Sequence, residues 1–167
     1  MIQLRDYSEA DIERLVVLAN NKNVSRYLID TFPYPYQRDD AVQWIRQGSS
    51  ANNAITKVIE FNGEFVGSIG LAPQTGWKSH AAEIGYWLAE DYWGRGIATA
   101  ALQQMTQYAL HALHYKKLFA PVLAPNNASM RVLQKCGYVL EGVHRDEVFK
   151  DGAYFDIHHY AVYQLSA

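Results

Sequence analysis

Apolar positions recur along this chain in two rhythms. In "MIQLRDY" they alternate, as in a short strand. Ile12, Leu15, Val16 and Ala19 follow at helical spacing, after Ser8, a residue suited to cap a helix start. "DTFPYPYQ" breaks both rhythms, because its two prolines bar a helix and its three aromatics crowd a loop. "RDDAVQWIRQG" predicts a second helix that stops at Gly48. "AITKVIEF" and "EFVGSIGL" flank Asn62-Gly63, a pair suited to a type I′ turn, and predict a hairpin. "HAAEIGYWLA" predicts the next strand. A helix from about Ile97 to His111 puts Ala98, Leu102, Met105, Ala109 and Ala112 on one face. "KLFAPVL" is almost wholly apolar, as a buried central strand should be. "NNASMRVLQKCG" predicts a short helix ended by Gly137. "YVLEGVHRDEVFK", Asp151-Gly152 and "AYFDIHHYAVYQL" predict a closing hairpin.

The strand–helix–strand run from Glu83 to Val122 predicts a right-handed parallel crossover. The remaining strands should pair antiparallel. The expected class is α/β (α+β): a mixed, mostly antiparallel twisted sheet with helices on both faces. The 167 residues suit one domain, 1–167, with a sizeable core.

Composition narrows the function. Net charge is −2 and no Lys/Arg run occurs, which argues against a nucleic-acid partner. The N-terminus lacks an apolar signal core, and Gly96–Tyr115, though uncharged, is too rich in Gln and His for a membrane span. A single cysteine, Cys136, forbids an internal disulfide and fits a reducing cytosol. The expected setting is cytoplasmic.

"DYWGRGIATAAL" carries the first chemical signal. The opening N–H groups of a helix have no partner within it and sit at the positive end of its dipole. Gly94 and Gly96 leave no Cβ to hold a ligand away, and Arg95 adds a positive charge. Such a turn suits a phosphate or pyrophosphate, or simply joins a strand to a helix. The ATP-binding pattern GxxxxGK[ST] is absent, and Thr99 stands where GxGxxG needs its third glycine.

"AEIGYWLAEDYWGRGIATAAL", followed by "NNASMRVLQKCGYVLEG", resembles the GNAT superfamily of acyl-CoA N-acyltransferases. Within it the match is closest to the ribosomal-protein N-acetyltransferase (RimJ/RimL-like) branch. The superfamily signature [Q/R]-x-x-G-x-[G/A] reads here Trp93-Gly94-Arg95-Gly96-Ile97-Ala98, with Trp93 in the first place. The resemblance implies acetyl-CoA as cofactor, its pyrophosphate held by the turn that Trp93 opens, through the amides of Gly94, Arg95, Gly96, Ile97, Ala98 and Thr99. It implies that the strand before the turn splays from the next parallel strand. The pantetheine arm would then pair with main-chain groups near Trp87, Leu88 and Ala89. Asn126 matches the family asparagine near the thioester; it also reads as an N-cap.

Amine acetylation needs a base, hydrogen-bond donors for the carbonyl oxygen and a proton for the leaving thiolate. Glu83, mid-strand in an apolar run, is the candidate base; the alternative is a glutamate on a solvated face. It shares a face with Gly85 and Trp87. Glu147 lies one residue from the position the branch uses, which falls on Val148. It reaches the acceptor only if a bulge turns the strand over. Many superfamily members offer a tyrosine acid where Leu133 stands. Ser129 matches the serine that this branch offers instead, and also reads as an ordinary first-turn serine. An amide near Leu88 is the expected donor to the carbonyl oxygen.

Tyr34 and Tyr36 are candidate walls of the acceptor site. Cys136 reads as core. His158 and His159 point to opposite faces of a strand, so no metal site is expected. The tryptophans read as packing residues, Trp93 excepted. The acceptor is expected to be an amine: a protein or peptide N-terminus, or alternatively a small amine or antibiotic. A non-catalytic acyl-CoA-binding module is the third reading. The chain is expected to be a monomer or a homodimer.

Overall fold

The computed structural model describes residues 1–164. Seven strands form one sheet: β1 (Ile2–Arg5), β2 (Ile55–Phe61), β3 (Glu64–Pro73), β4 (Ala81–Leu88), β5 (Lys117–Leu123), β6 (Val139–Lys150) and β7 (Ala153–Tyr163). Their order across it is β1-β2-β3-β4-β5-β7-β6. Only β4 and β5 pair in parallel; every other neighbouring pair is antiparallel. Asn62 and Gly63, and later Asp151 and Gly152, all take positive φ at the two hairpin turns, as tight hairpins require.

Helices α1 (Ile12–Ala19), α2 (Lys22–Ser25) and α3 (Arg38–Arg46) precede β2, while α4 (Ile97–Gln107) and α5 (Asn127–Lys135) flank β5. The apolar stripes fix which face each covers. Leu15, Leu18 and Ala19 of α1 and Ala41 of α3 pack with Val58 and Phe65 on one face. Ile97, Leu102 and Met105 of α4 and Met130 and Leu133 of α5 pack with Ile69, Ile84 and Leu118 on the other. Each fully buried Leu, Ile, Val or Met among them contributes roughly 1.5–3 kcal/mol. The expected layering, with helices on both faces of a mostly antiparallel sheet, is the one observed.

Two features escaped the periodicity. The four-residue α2 is too short to show a repeat. Trp77 does not pack: it stands fully exposed on the turn between β3 and β4, whereas Trp44 and Trp87 join the core. A charged clasp closes the N-terminal edge, with Arg5 bonded to both Asp11 (2.8 Å) and Glu60 (2.7 Å). No helix among the described residues is long and apolar enough to cross a membrane.

A candidate acetyl-transfer site at the splayed strands

The parallel pair β4–β5 opens partway along. Its register runs Ala81↔Lys117, Ala82↔Leu118 and Glu83↔Phe119, then ends. β4 continues along β3 to Leu88 and β5 continues along β7 to Leu123, so the two strands diverge into a gap. Ala89 N–H bonds the Val66 carbonyl at 2.9 Å. Alternation along an antiparallel ladder therefore turns the backbone groups of Ile84, Tyr86 and Leu88 away from β3 and toward the gap. Of the three residues expected to pair with a cofactor arm, Leu88 faces the gap; Trp87 and Ala89 turn their backbone groups to β3.

The glycine turn lies at the mouth of this gap. Gly94 (φ 73°) and Gly96 (φ 75°) adopt left-handed conformations that disfavour L side chains. A Cβ on either would meet no atom within 4 Å, so the space over the turn is open. The first bond of α4 runs from Ala100 N–H to the Gly96 carbonyl (3.1 Å). The amides of Ile97, Ala98 and Thr99 thus have no partner inside the helix. Arg95 lies over the Tyr92 ring, 5.4 Å from its centroid, and forms no ion pair among the described residues. Trp93 donates its indole N–H to the Leu88 carbonyl at 2.8 Å, tying the turn to the end of β4. These orphan amides and the unpaired guanidinium fit a pyrophosphate.

On the α4–α5 side of the gap, Asn126 accepts a hydrogen bond from Ser129 N–H (3.3 Å) as the cap of α5. Ser129 Oγ lies 2.9 Å from the Tyr86 hydroxyl, which also donates to the Ser129 carbonyl at 3.3 Å. Burial pushes the Tyr86 phenol above its ordinary value, so it keeps its proton. The sequence reading missed Tyr86, because nothing in "GYW" tells which of two adjacent aromatics will face a serine 43 positions away. Leu133 is fully buried in the core, so no tyrosine of α5 replaces it.

Glu83 lies on the opposite face. It is half-buried, and among the described residues it has no hydrogen-bond or ion-pair partner. Burial pushes its carboxyl above the usual carboxylate range. It lines a cleft of about 1040 Å³ that spreads over the α1–α3 face and includes Tyr86, Trp87, Asn126 and Ser129. Tyr36 (5% exposed) and Phe32 form part of its wall, their rings tilted with centroids 5.3 Å apart, while Tyr34 is 54% exposed and outside the lining.

The bulge that Glu147 needs is present. The β6–β7 register jumps between His144↔Ile157 and Val148↔Phe155, and Asp146 takes a positive φ of 49°. Asp156 holds this bulge by accepting from Asp146 N–H and Arg145 (both 2.9 Å). Glu147 reaches the cleft rim, exposed, 3.7 Å from His144. His158 and His159 both come out half-buried. His159 enters the cleft lining with its ring tilted against that of His144, centroids 4.1 Å apart; burial and that neighbour hold it below its usual value. Lys150 donates to the Ser25 and Leu28 carbonyls, pinning the loop after α2 to the last hairpin. Cys136 packs against the core, its Sγ 3.5 Å from the Thr99 carbonyl.

Residues 2–139 match the family model described as an acetyltransferase (GNAT) domain. The chain belongs to that family. It is 27% identical over 167 residues to a putative ribosomal N-acetyltransferase, YdaF, of Bacillus subtilis (strain 168), covering 96% of this chain and 90% of the relative. The Mycobacterium smegmatis RimJ structure in complex with CoA-disulfide superposes with a TM-score of 0.87, at 26% identity over 97% of this chain and 81% of that one. In fold, the chain is also similar to a spermidine N-acetyltransferase from Vibrio cholerae in complex with CoA and spermine, with a TM-score of 0.83, 23% identity, and 98% and 95% coverage. The protein is therefore a GNAT N-acetyltransferase, and acetyl-CoA is its cofactor.

Proposed function

We propose that the acceptor is the α-amino group of a protein or peptide N-terminus, and that Glu83 is the base that deprotonates it. The openness of the acceptor side carries this reading. The cleft takes in the thioester end at Asn126 and Ser129, and beyond Glu83 it opens over the sheet rather than closing around a compact amine. The relative named as a putative ribosomal N-acetyltransferase points the same way.

The cofactor supplies an acetyl group activated as a thioester. The open turn from Gly94 to Thr99 and Arg95 bind its pyrophosphate, and the gap-facing backbone of β4 orients the arm. Glu83 takes a proton from the ammonium on the acceptor side. Its raised pKa brings it nearer to the amine's own, which eases that transfer. Ser129 Oγ lies on the other side, where it donates a hydrogen bond or a proton to the departing sulfur. The Tyr86 hydroxyl, 2.9 Å from that Oγ, holds it in place for the donation.

Tyr86→Phe should therefore leave the fold within about 0.5–1.5 kcal/mol of the parent, the usual net worth of one hydrogen bond. Its turnover should fall severalfold while the KM for the amine holds. Thermal unfolding and steady-state kinetics read the two effects separately. A rise in KM with no change in turnover would remove Tyr86 from the chemistry.

A second reading has its own support. Asp30, Asp40, Glu83 and Glu147 all line the cleft, against Lys150 alone, and that acidity also suits a small polycation. An acceptor panel decides: free thiol released from acetyl-CoA is measured with N-terminal peptides, lysine-bearing N-blocked peptides, polyamines and simple amines. Peptides with free N-termini should be the best acceptors. Preference for polyamines would establish the second reading.

A further inference from the structure

The reading of Glu83 as the base leaves open what surrounds the amine it serves. Gly85 bears on that. It lies two residues along β4 from Glu83, on the same face, with Trp87 next beyond it. β4 is the central strand of seven, but its pairing with β5 ends at Glu83, so at Gly85 it is bonded to β3 alone, and Gly85 is exposed while Ile84 beside it is buried.

Nothing inside the fold requires a glycine there. Its φ is not positive. A Cβ on Gly85 would meet no atom within 4 Å. The other glycines in this part of the sheet differ. A Cβ on Gly67 would lie 2.3 Å from the Trp87 carbonyl oxygen, and one on Gly70 would lie 3.0 Å from Thr56 Oγ1. Those two allow close packing. Gly85 instead weakens the strand, by roughly 0.5–1 kcal/mol relative to alanine on general grounds, with no packing gain. The space it leaves opens into the acceptor cleft, whose lining continues from Gly85 through Gly70, Ser68 and Trp44.

We propose that Gly85 sets acceptor specificity: its bare backbone admits the substituent on a branched carbon next to the amine. An amine held at Glu83 places that carbon's side chain over Gly85, about 6.7 Å along the strand. An α-amine carries a branched carbon; a lysine side chain or a polyamine end carries a plain methylene. This inference rests on Glu83 marking the amine's position, and it narrows the acceptor to α-amines bearing a side chain.

Gly85→Val tests it, because valine suits a strand and the site has room. kcat/KM is measured on matched acceptors: peptides beginning with Gly or with Leu but otherwise identical, and n-butylamine against sec-butylamine. The Leu-to-Gly ratio and the sec-to-n ratio should each fall at least about tenfold in the variant, with Gly85→Ala between. Binding of acetyl-CoA, followed by calorimetry, serves as the folding control and should move less than about twofold on the same scale. Equal losses on both members of a pair, or no loss, would overturn the role of Gly85. Should the parent enzyme acetylate no peptide at all, the N-terminal reading fails, while the two butylamines still report on Gly85.

Discussion

Glu83→Gln is expected to lower kcat/KM for the amine at pH 7 by about 10²- to 10⁴-fold, the usual contribution of a positioned base. The pH profile carries the stronger test. Glu83 must be ionised to accept a proton, and burial raises its pKa above the ordinary glutamate value. The parent's kcat/KM should therefore climb with pH along a limb set above the range of a solvated glutamate. In the variant that limb disappears, and the rate should recover only as the amine loses its own proton in alkali. Parallel profiles for the two proteins would reject Glu83 as the base. Stability gives a second reading with a definite sign. A carboxyl whose folded pKa is raised favours the protonated fold, so its stabilising contribution is complete below the unfolded pKa and disappears as pH rises through the folded one. The glutamine variant should accordingly unfold at a higher temperature than the parent at pH 7, and the gap should close toward pH 4. A variant both more stable and far less active is what a strained, functional carboxylate predicts.

Most of the layering was legible because the chain's periods match its elements. The alternation in β1 and the stripe on α1 follow one rule, that a strand or helix buries one side, and the apolar run of β5 follows its complement, that a central strand buries both. The turn at Gly94–Gly96 was legible for another reason, since glycines at the start of a helix have few uses. Glu83 could be placed on its face by counting in twos. The remainder depended on contacts between distant segments. Tyr86 meets Ser129 only because β4 and α5 close over the same gap. Glu147 reaches the cleft rim only because Asp156, on the next strand, holds a bulge that no local pattern announces. Lys150 pins a loop more than 120 residues away through backbone carbonyls, which carry no sequence signal. Trp77 goes the other way: a tryptophan reads as a packing residue, but here the turn that begins at Gly76 carries it into solvent.

Gly96→Val should weaken acetyl-CoA binding by about 10- to 100-fold, as the loss of one charge-assisted hydrogen bond of roughly 1.5–3 kcal/mol implies. Two effects act together. Gly96 stands at φ 75°, where a β-branched residue is strained, so relaxation pulls the turn away from the geometry that presents its amides. The added side chain also enters the open space above the turn, where no protein atom lies within 4 Å of a Cβ. The fold should lose about 1–2 kcal/mol from the same strain, which thermal unfolding reads independently. Acetyl-pantetheine, which lacks the pyrophosphate, separates specific from general damage. If the turn grips phosphate, parent and variant should bind this truncated thioester alike, and removing the phosphates should cost the parent more than the variant. Equal weakening toward both thioesters would mean that the substitution had collapsed the gap between β4 and β5, and the amides at the start of α4 would lose their assigned role. Arg95→Ala should give a smaller, salt-sensitive loss toward acetyl-CoA alone, because its exposed guanidinium acts through a screened charge rather than through fixed backbone geometry.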